Sequence, residues 1–247
     1  QEPLVDIQPQ EPEAPPEPTP EELAAQEVED LLASLTLEEK VGQLFFVRVP
    51  DTDAVSDVST YHLGGYILFG RDTADKTADA LIQTIQSYQD AAAVDTGIPL
   101  LIGVDEEGGT VSRIGGNPGF DIPNEGNMAD VGAAGDATQA KAVAARIGSY
   151  LSDLGFNLDF APDSDVCGDP STDVMALRSF GTDPAIVGSM VSAQVEGFTE
   201  AGVLCSAKHF PGIGGVMGDS HEGAIVSDKT LDELRDWEGW SDDNQAE

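Results

Sequence analysis

PLLIGVDEEGGTVSRI, residues 99–114, decides how this chain is read. Its first half is short, nearly continuous in apolar residues and closed by Asp105, the pattern of a strand buried on both faces. Its second half turns through two glycines and carries Arg113 on the loop. Four other stretches have the same form: QLFFVRV (43–49), GYILFG (65–70), FNLDFAP (156–162) and VLCSAKHF (203–210). Helical stretches separate them at about 73–94, 136–153 and 183–201. Such alternation implies a parallel sheet with helical crossovers. Five strands are legible, and a closed (β/α)8 barrel needs eight. After Leu234 the sequence RDWEGWSDDNQAE is polar and carries no further strand. The expected class is therefore α/β, either about two thirds of a barrel or a complete open sheet.

Outward from this frame, residues 1–20 (QEPLVDIQPQEPEAPPEPTP) are rich in Pro and Glu and too poor in apolar groups to order themselves. They read as a disordered linker, with the folded part over 21–247. Thr19-Pro20-Glu21-Glu22 is a helix start, followed by an apolar face at Leu23, Val28, Leu31, Leu32 and Leu35, and a second start stands at Thr36. A spacer at the front of a chain that opens on Gln1 predicts an exported protein, extracellular or held at the cell envelope, with its leader removed. An ordinary disordered tail fits the composition equally.

Forty-six acidic residues stand against eleven Lys and Arg, a formal charge of −35. Polyphosphate needs a basic footprint, so nucleic-acid binding is excluded, and anionic membranes would repel this surface. No apolar run approaches the roughly 20 residues that span a bilayer. Solubility in a salty or extracellular setting accounts for the acids. Cys205 lies in an apolar run and is expected to be a buried small hydrophobe, with Cys167 in a polar loop. The two have no metal-ligand spacing, and neither a metal nor a cofactor is expected.

Parallel α/β folds build their sites at the C-terminal ends of the strands. There the third strand ends in Asp105, the fourth in Asp159, Pro162 and Asp163, and the fifth in Lys208 and His209. In a chain with so few cations, Arg71, Arg113 and Lys208 fall at or just after strand ends, and Arg178 follows the fourth strand. They can serve a hydroxyl-rich or anionic ligand, or pair locally with Asp105, Asp159 or Asp163. His62, in YHLGG, reads as a surface or turn residue. His221 follows Asp219 by two positions in the Gly-rich stretch GGVMGDSHEGA. A carboxylate there can orient the imidazole for general acid/base work, and the glycines let the loop move over a substrate. Neither EEGGTVSRI nor PGIGG matches a phosphate-binding loop, and no G-x-S-x-G elbow is present.

LTLEEKVGQLFFV, GGYILFGRD, LLIGVDEEGGTVSRI, LGFNLDFAPDSDV, RSFGTDP and AKHFPGIGGVMGDSHEG occur in the order found in family 3 glycoside hydrolases. Over about residues 30–236 the chain resembles that family's β-N-acetylglucosaminidase branch. The resemblance implies a (β/α)8 barrel of TIM-barrel type, here incomplete, with about five to six βα units. It implies a terminal, non-reducing N-acetylglucosamine held by Asp105, Arg113, Arg178, Lys208 and His209. It implies His221 as general acid/base with Asp219 as its partner, in retaining hydrolysis through a covalent glycosyl-enzyme intermediate. The substrate would be a small carbohydrate derived from peptidoglycan or chitin.

Two departures accompany the resemblance. Ile213 stands where many relatives have a second Gly-His pair, which should alter loop packing more than chemistry. The family's nucleophile, an Asp beyond a later strand, has no counterpart here. Asp242 and Asp243 lack the preceding apolar strand, so a truncated, nearly inactive chain is expected. A non-catalytic carbohydrate-binding fragment and a β-glucosidase of the same family are the alternatives. An open five-stranded piece also predicts exposed edges, with marginal solubility or dimerisation.

Overall fold

The computed structural model describes residues 18–216, 218 and 223–238. The expected linker falls almost wholly outside the described residues, as do Asp219 and His221. Two helices open the described chain, α1 (Pro20–Ser34) and α2 (Leu37–Gly42). Each starts where its signal stands. The hydroxyls of Thr19 and Thr36 accept the N3 amides, and Glu22 and Glu39 reach back to the cap amides, closing two capping boxes. The apolar face of α1 nevertheless buries none of its residues.

The remaining elements are β1 (Phe46–Arg48), α3 (Ala54–Tyr61), β2 (Gly65–Leu68), α4 (Gly70–Thr73), α5 (Ala78–Asp95), β3 (Leu101–Val104), α6 (Met128–Ala134), α7 (Ala137–Leu154), β4 (Leu158–Asp159), α8 (Pro184–Glu200), β5 (Leu204–Cys205) and α9 (Leu231–Glu238). The five strands are parallel and lie side by side in chain order, with helices in every crossover. This is the α/β, TIM-barrel-type arrangement, not closed. The strands are shorter than the apolar runs that announce them. The run at 203–210 contributes only Leu204–Cys205 to the ladder, because the rest turns away to form the site. The sequence carries no clear helical signal over α3 or α6, both short, the first rich in Val, Ser and Thr and the second in Ala and Gly.

Strand alternation gives the sheet two unlike faces. Tyr66, Leu68, Ile102 and Val104 are buried with Leu81, Ile85 and Tyr88 of α5 and Val143, Ile147 and Leu151 of α7. Each such side chain contributes about 1.5–3 kcal/mol. On the opposite face the rings of Phe46 and Phe160 meet edge to face, 5.4 Å apart. Gly103 lies beneath them, where a Cβ would come within 2.7 Å of Phe46 and 2.9 Å of Phe160. Leu101 and Leu204, in register with Gly65 and Leu158 on that face, stay 39% and 59% exposed.

One expectation is corrected. Cys167 is buried and Cys205 only half-buried, the reverse of the sequence reading, and both thiols are free. The loop after β4 folds inward and carries Cys167 with it. His62 stands in a turn, as its sequence context indicates: it is half-buried at the left-handed C-terminus of α3, its Nδ1 2.9 Å from Asp95. No helix of the described residues is long and apolar enough to cross a membrane.

Candidate active site

Three loops, leaving the C-terminal ends of β3, β4 and β5, supply the charged groups of the site. The first is set by Glu106, which is fully buried and accepts five hydrogen bonds. Oε1 receives the Ser112 hydroxyl at 2.6 Å, the Gly115 amide at 2.8 Å and the Tyr150 hydroxyl at 2.8 Å. Oε2 receives the amides of Arg113 and Ile114 at 2.6 and 3.0 Å. One carboxylate thus folds the EEGGTVSRI loop onto itself and ties it to α7. Burial first, and then the Glu106 charge, push the Tyr150 phenol far up, so it stays a donor.

With Glu106 turned inward, its neighbours Asp105 and Glu107 face the cations of the other two loops. Arg178 grips Glu107 with two parallel bonds of 2.8 Å, and Lys208 Nζ lies 2.6 Å from Glu107 and 2.7 Å from Asp105. Burial pushes the Glu107 carboxyl up, but Arg178 and Lys208 together outweigh it and hold the carboxyl below its usual range. The chain continues from Arg178 to His209, whose Nε2 is 3.2 Å from the guanidinium. Since a guanidinium can only donate, Nε2 accepts and Nδ1 carries the proton. That Nδ1–H points at Asp165 Oδ2, 2.6 Å away, and Asp165 Oδ1 accepts the Ile213 amide at 2.5 Å.

The loop after β5 is further fixed to β4 where Asp163 and Lys208 form a parallel bridge and the Ser164 amide and hydroxyl both bond the Lys208 carbonyl, at 2.6 and 2.9 Å. Two acids of this region are less well served. Asp159 Oδ1 accepts the Glu106 amide at 2.9 Å and Asp163 Oδ1 accepts the Asp165 amide at 3.0 Å, yet Oδ2 of each is buried without a hydrogen bond among the described residues. Burial drives both carboxyls well above the usual range, reinforced for Asp163 by Asp165 and Glu107 and for Asp159 by Glu106.

Of the residues singled out from the sequence, Asp105, Arg178, Lys208 and His209 belong to one bonded network. Their side chains keep 19%, 14%, 15% and 31% of their surface exposed, enough for a ligand to reach them. Arg113 stands apart: its guanidinium makes one long contact, 3.5 Å, to the Ser112 carbonyl, and its place is fixed by its backbone. Arg71 pairs with Asp51 and Asp72 and joins no part of the site. The ion-pair reading of the cations is what the geometry shows: Lys208 pairs with Asp105, and Arg178 lies 3.6 Å from Asp163. Sequence reasoning missed Glu106, Glu107 and Asp165. The available signal was the acid doublet directly after a strand end, hidden among forty-six acids.

Rigid donors and acceptors, partly open to solvent at the strand ends, suit a polyhydroxylated ligand. Comparison with known proteins gives the same direction. The glycosyl hydrolase family 3 N-terminal domain matches residues 36–241. Beta-hexosaminidase LpqI of Mycobacterium tuberculosis is 38% identical over 203 residues, which cover 82% of this chain and 50% of that protein. Beta-hexosaminidase A of Pseudoalteromonas piscicida is 38% identical over 181 residues, covering 72% and 29%. The chain thus spans half or less of the length of these relatives. The solved family 3 β-N-acetylglucosaminidase of Paenibacillus sp. str. FPU-7 superposes with a TM-score of 0.74 at 38% identity, over 83% of this chain and 39% of that one. With five parallel strands in barrel order, a polar site at their C-terminal ends and a family match over most of its length, the chain belongs to glycoside hydrolase family 3.

Proposed function

We propose that this chain carries the sugar-binding part of a retaining β-N-acetylhexosaminidase, acting on terminal, non-reducing β-N-acetylglucosamine of peptidoglycan- or chitin-derived sugars. The observation that carries the proposal is the Asp105–Lys208–Glu107–Arg178–His209 network at the strand ends. Asp105 and Lys208 would exchange hydrogen bonds with sugar hydroxyls. Arg178, already locked by Glu107, would present a fixed donor at low ordering cost, and His209, held by Asp165, would brace that guanidinium. Arg113 would reach the ligand from the β3 loop. In this reading His221, oriented by Asp219, protonates the leaving oxygen and later deprotonates water. No residue of this sequence is assigned as the nucleophile. The Pro/Glu-rich start supports an extracellular or envelope location for the protein.

Calorimetric titration of the chain with N-acetylglucosamine, and in parallel with glucose, tests the reading. Saturable binding of the N-acetyl sugar, weakened in Asp105→Ala, is the expected result. Preference for glucose would favour a β-glucosidase-type pocket. Binding without hydrolysis of a chromogenic N-acetylglucosaminide would leave a carbohydrate-binding unit. Equal titrations for wild type and variant would overturn the assignment of Asp105.

A further inference from the structure

Asp163, Asp165 and His209 each offer a ligand atom, and these atoms lie within 4.8 Å of one another. Asp163 is 1% exposed, and its Oδ2 is buried with no hydrogen-bond donor among the described residues. Its nearest counter-charge, the Arg178 guanidinium, stands 3.6 Å away and is spent on both oxygens of Glu107. Natural structures seldom leave a buried carboxylate oxygen unpartnered, because its desolvation is then unrepaid.

We infer that Asp163, Asp165 and His209 form a binding site for a divalent first-row transition-metal ion, linking the loop after β4 to the loop after β5. Charge count supports it. Four carboxylates, of Asp105, Glu107, Asp163 and Asp165, meet the two permanent cations Lys208 and Arg178. A divalent ion would cancel the excess. Donor chemistry narrows the class. One imidazole with two carboxylates suits zinc, manganese or cobalt, whereas calcium and magnesium favour oxygen-only shells. Three protein ligands leave further positions for water. The ring nitrogen that binds must be free of a proton; the imidazole stays neutral, so a bond through Nδ1 requires the tautomer with its proton on Nε2. The ion would sit behind His209 and Arg178 and brace them. This inference stands on the geometry alone and does not depend on the sugar reading.

The test is titration of the chelator-treated 247-residue chain with cobalt(II), followed by visible absorption, with zinc as competitor. Three variants are compared: Asp163→Asn, His209→Gln and the exposed control Asp153→Asn. The site predicts a saturable absorption band displaced by zinc, unchanged in Asp153→Asn. Affinity should fall at least about tenfold in Asp163→Asn and His209→Gln, since loss of an outer-shell partner alone costs that much. The amide in Asp163→Asn is isosteric, and circular dichroism checks its fold. Should it fail to fold, His209→Gln decides. Absence of a band, or equal affinity in Asp163→Asn and Asp153→Asn, would mean that the ion meets only the acidic surface and would overturn the inference.

Discussion

The loop after β3 and the end of β4 solve the same problem differently. Both bury carboxylates against one another beneath a partly open site. At Glu106 both buried oxygens are saturated, with five donors between them. At Asp159 and Asp163 one oxygen each has no donor among the described residues. The first arrangement stabilises a loop, because desolvation is repaid in full. The second stores unfavourable energy next to the groups that would meet a ligand, as functional sites often do. The contrast separates framework from function within a few residues of sequence.

The largest way to break the contrast is Glu106→Ala. It strands four amide or hydroxyl donors and the Tyr150 phenol in a buried place, and should cost about 3–5 kcal/mol. Urea unfolding would measure it; a loss under about 1 kcal/mol would mean that the loop is held by other contacts. Glu107→Gln comes next, at about 2 kcal/mol, because Arg178 and Lys208 lose their shared partner but remain within reach of water. Its pH dependence has a definite sign. The folded pKa of Glu107 is depressed, so its stabilisation is present above the unfolded value of about 4.3 and is lost as pH falls through the folded value. The stability difference between wild type and Glu107→Gln should therefore shrink on acidification. Tyr150→Phe removes one donor of five and should cost about 1 kcal/mol.

Asp159→Asn sharpens the comparison from the other side and has the smallest effect. The folded pKa of Asp159 is raised, so its contribution is greatest below the unfolded value of about 3.9 and is lost as pH rises through the folded value. The variant should be no less stable than wild type at neutral pH, and its relative advantage should grow with pH. Unfolding curves across that range that run parallel for the two proteins would remove the distinction between the two regions.

Much of the frame was legible because it is written locally. Thr19 and Thr36 signal their helices through capping chemistry confined to four residues. The five apolar runs fix strand order, since each crossover carries its own helix. Strand length was overread where apolar residues continue past the ladder, as in Phe160 and Phe210, which serve the inner face and the loop surface instead. The site was half legible. Lys208 and Arg178 stood out because cations are scarce. Glu107 did not, because one acid in forty-six carries no signal until the fold sets it against a guanidinium 71 residues away. Asp165 was missed for the same reason, its partners His209 and Ile213 lying 44 and 48 residues on.

The central claim is that the network at the strand ends is a sugar pocket. A crystal structure of the chain soaked with N-acetylglucosamine tests it most directly. The account predicts the sugar over the ends of β3 and β5, its hydroxyls within hydrogen-bond distance of Asp105 and Lys208 and in reach of Arg178 and His209. A sugar found instead in the apolar groove of about 850 Å³ lined by Leu37, Val41, Phe45 and Tyr61, or strand ends left without sugar at saturating concentration, would contradict it.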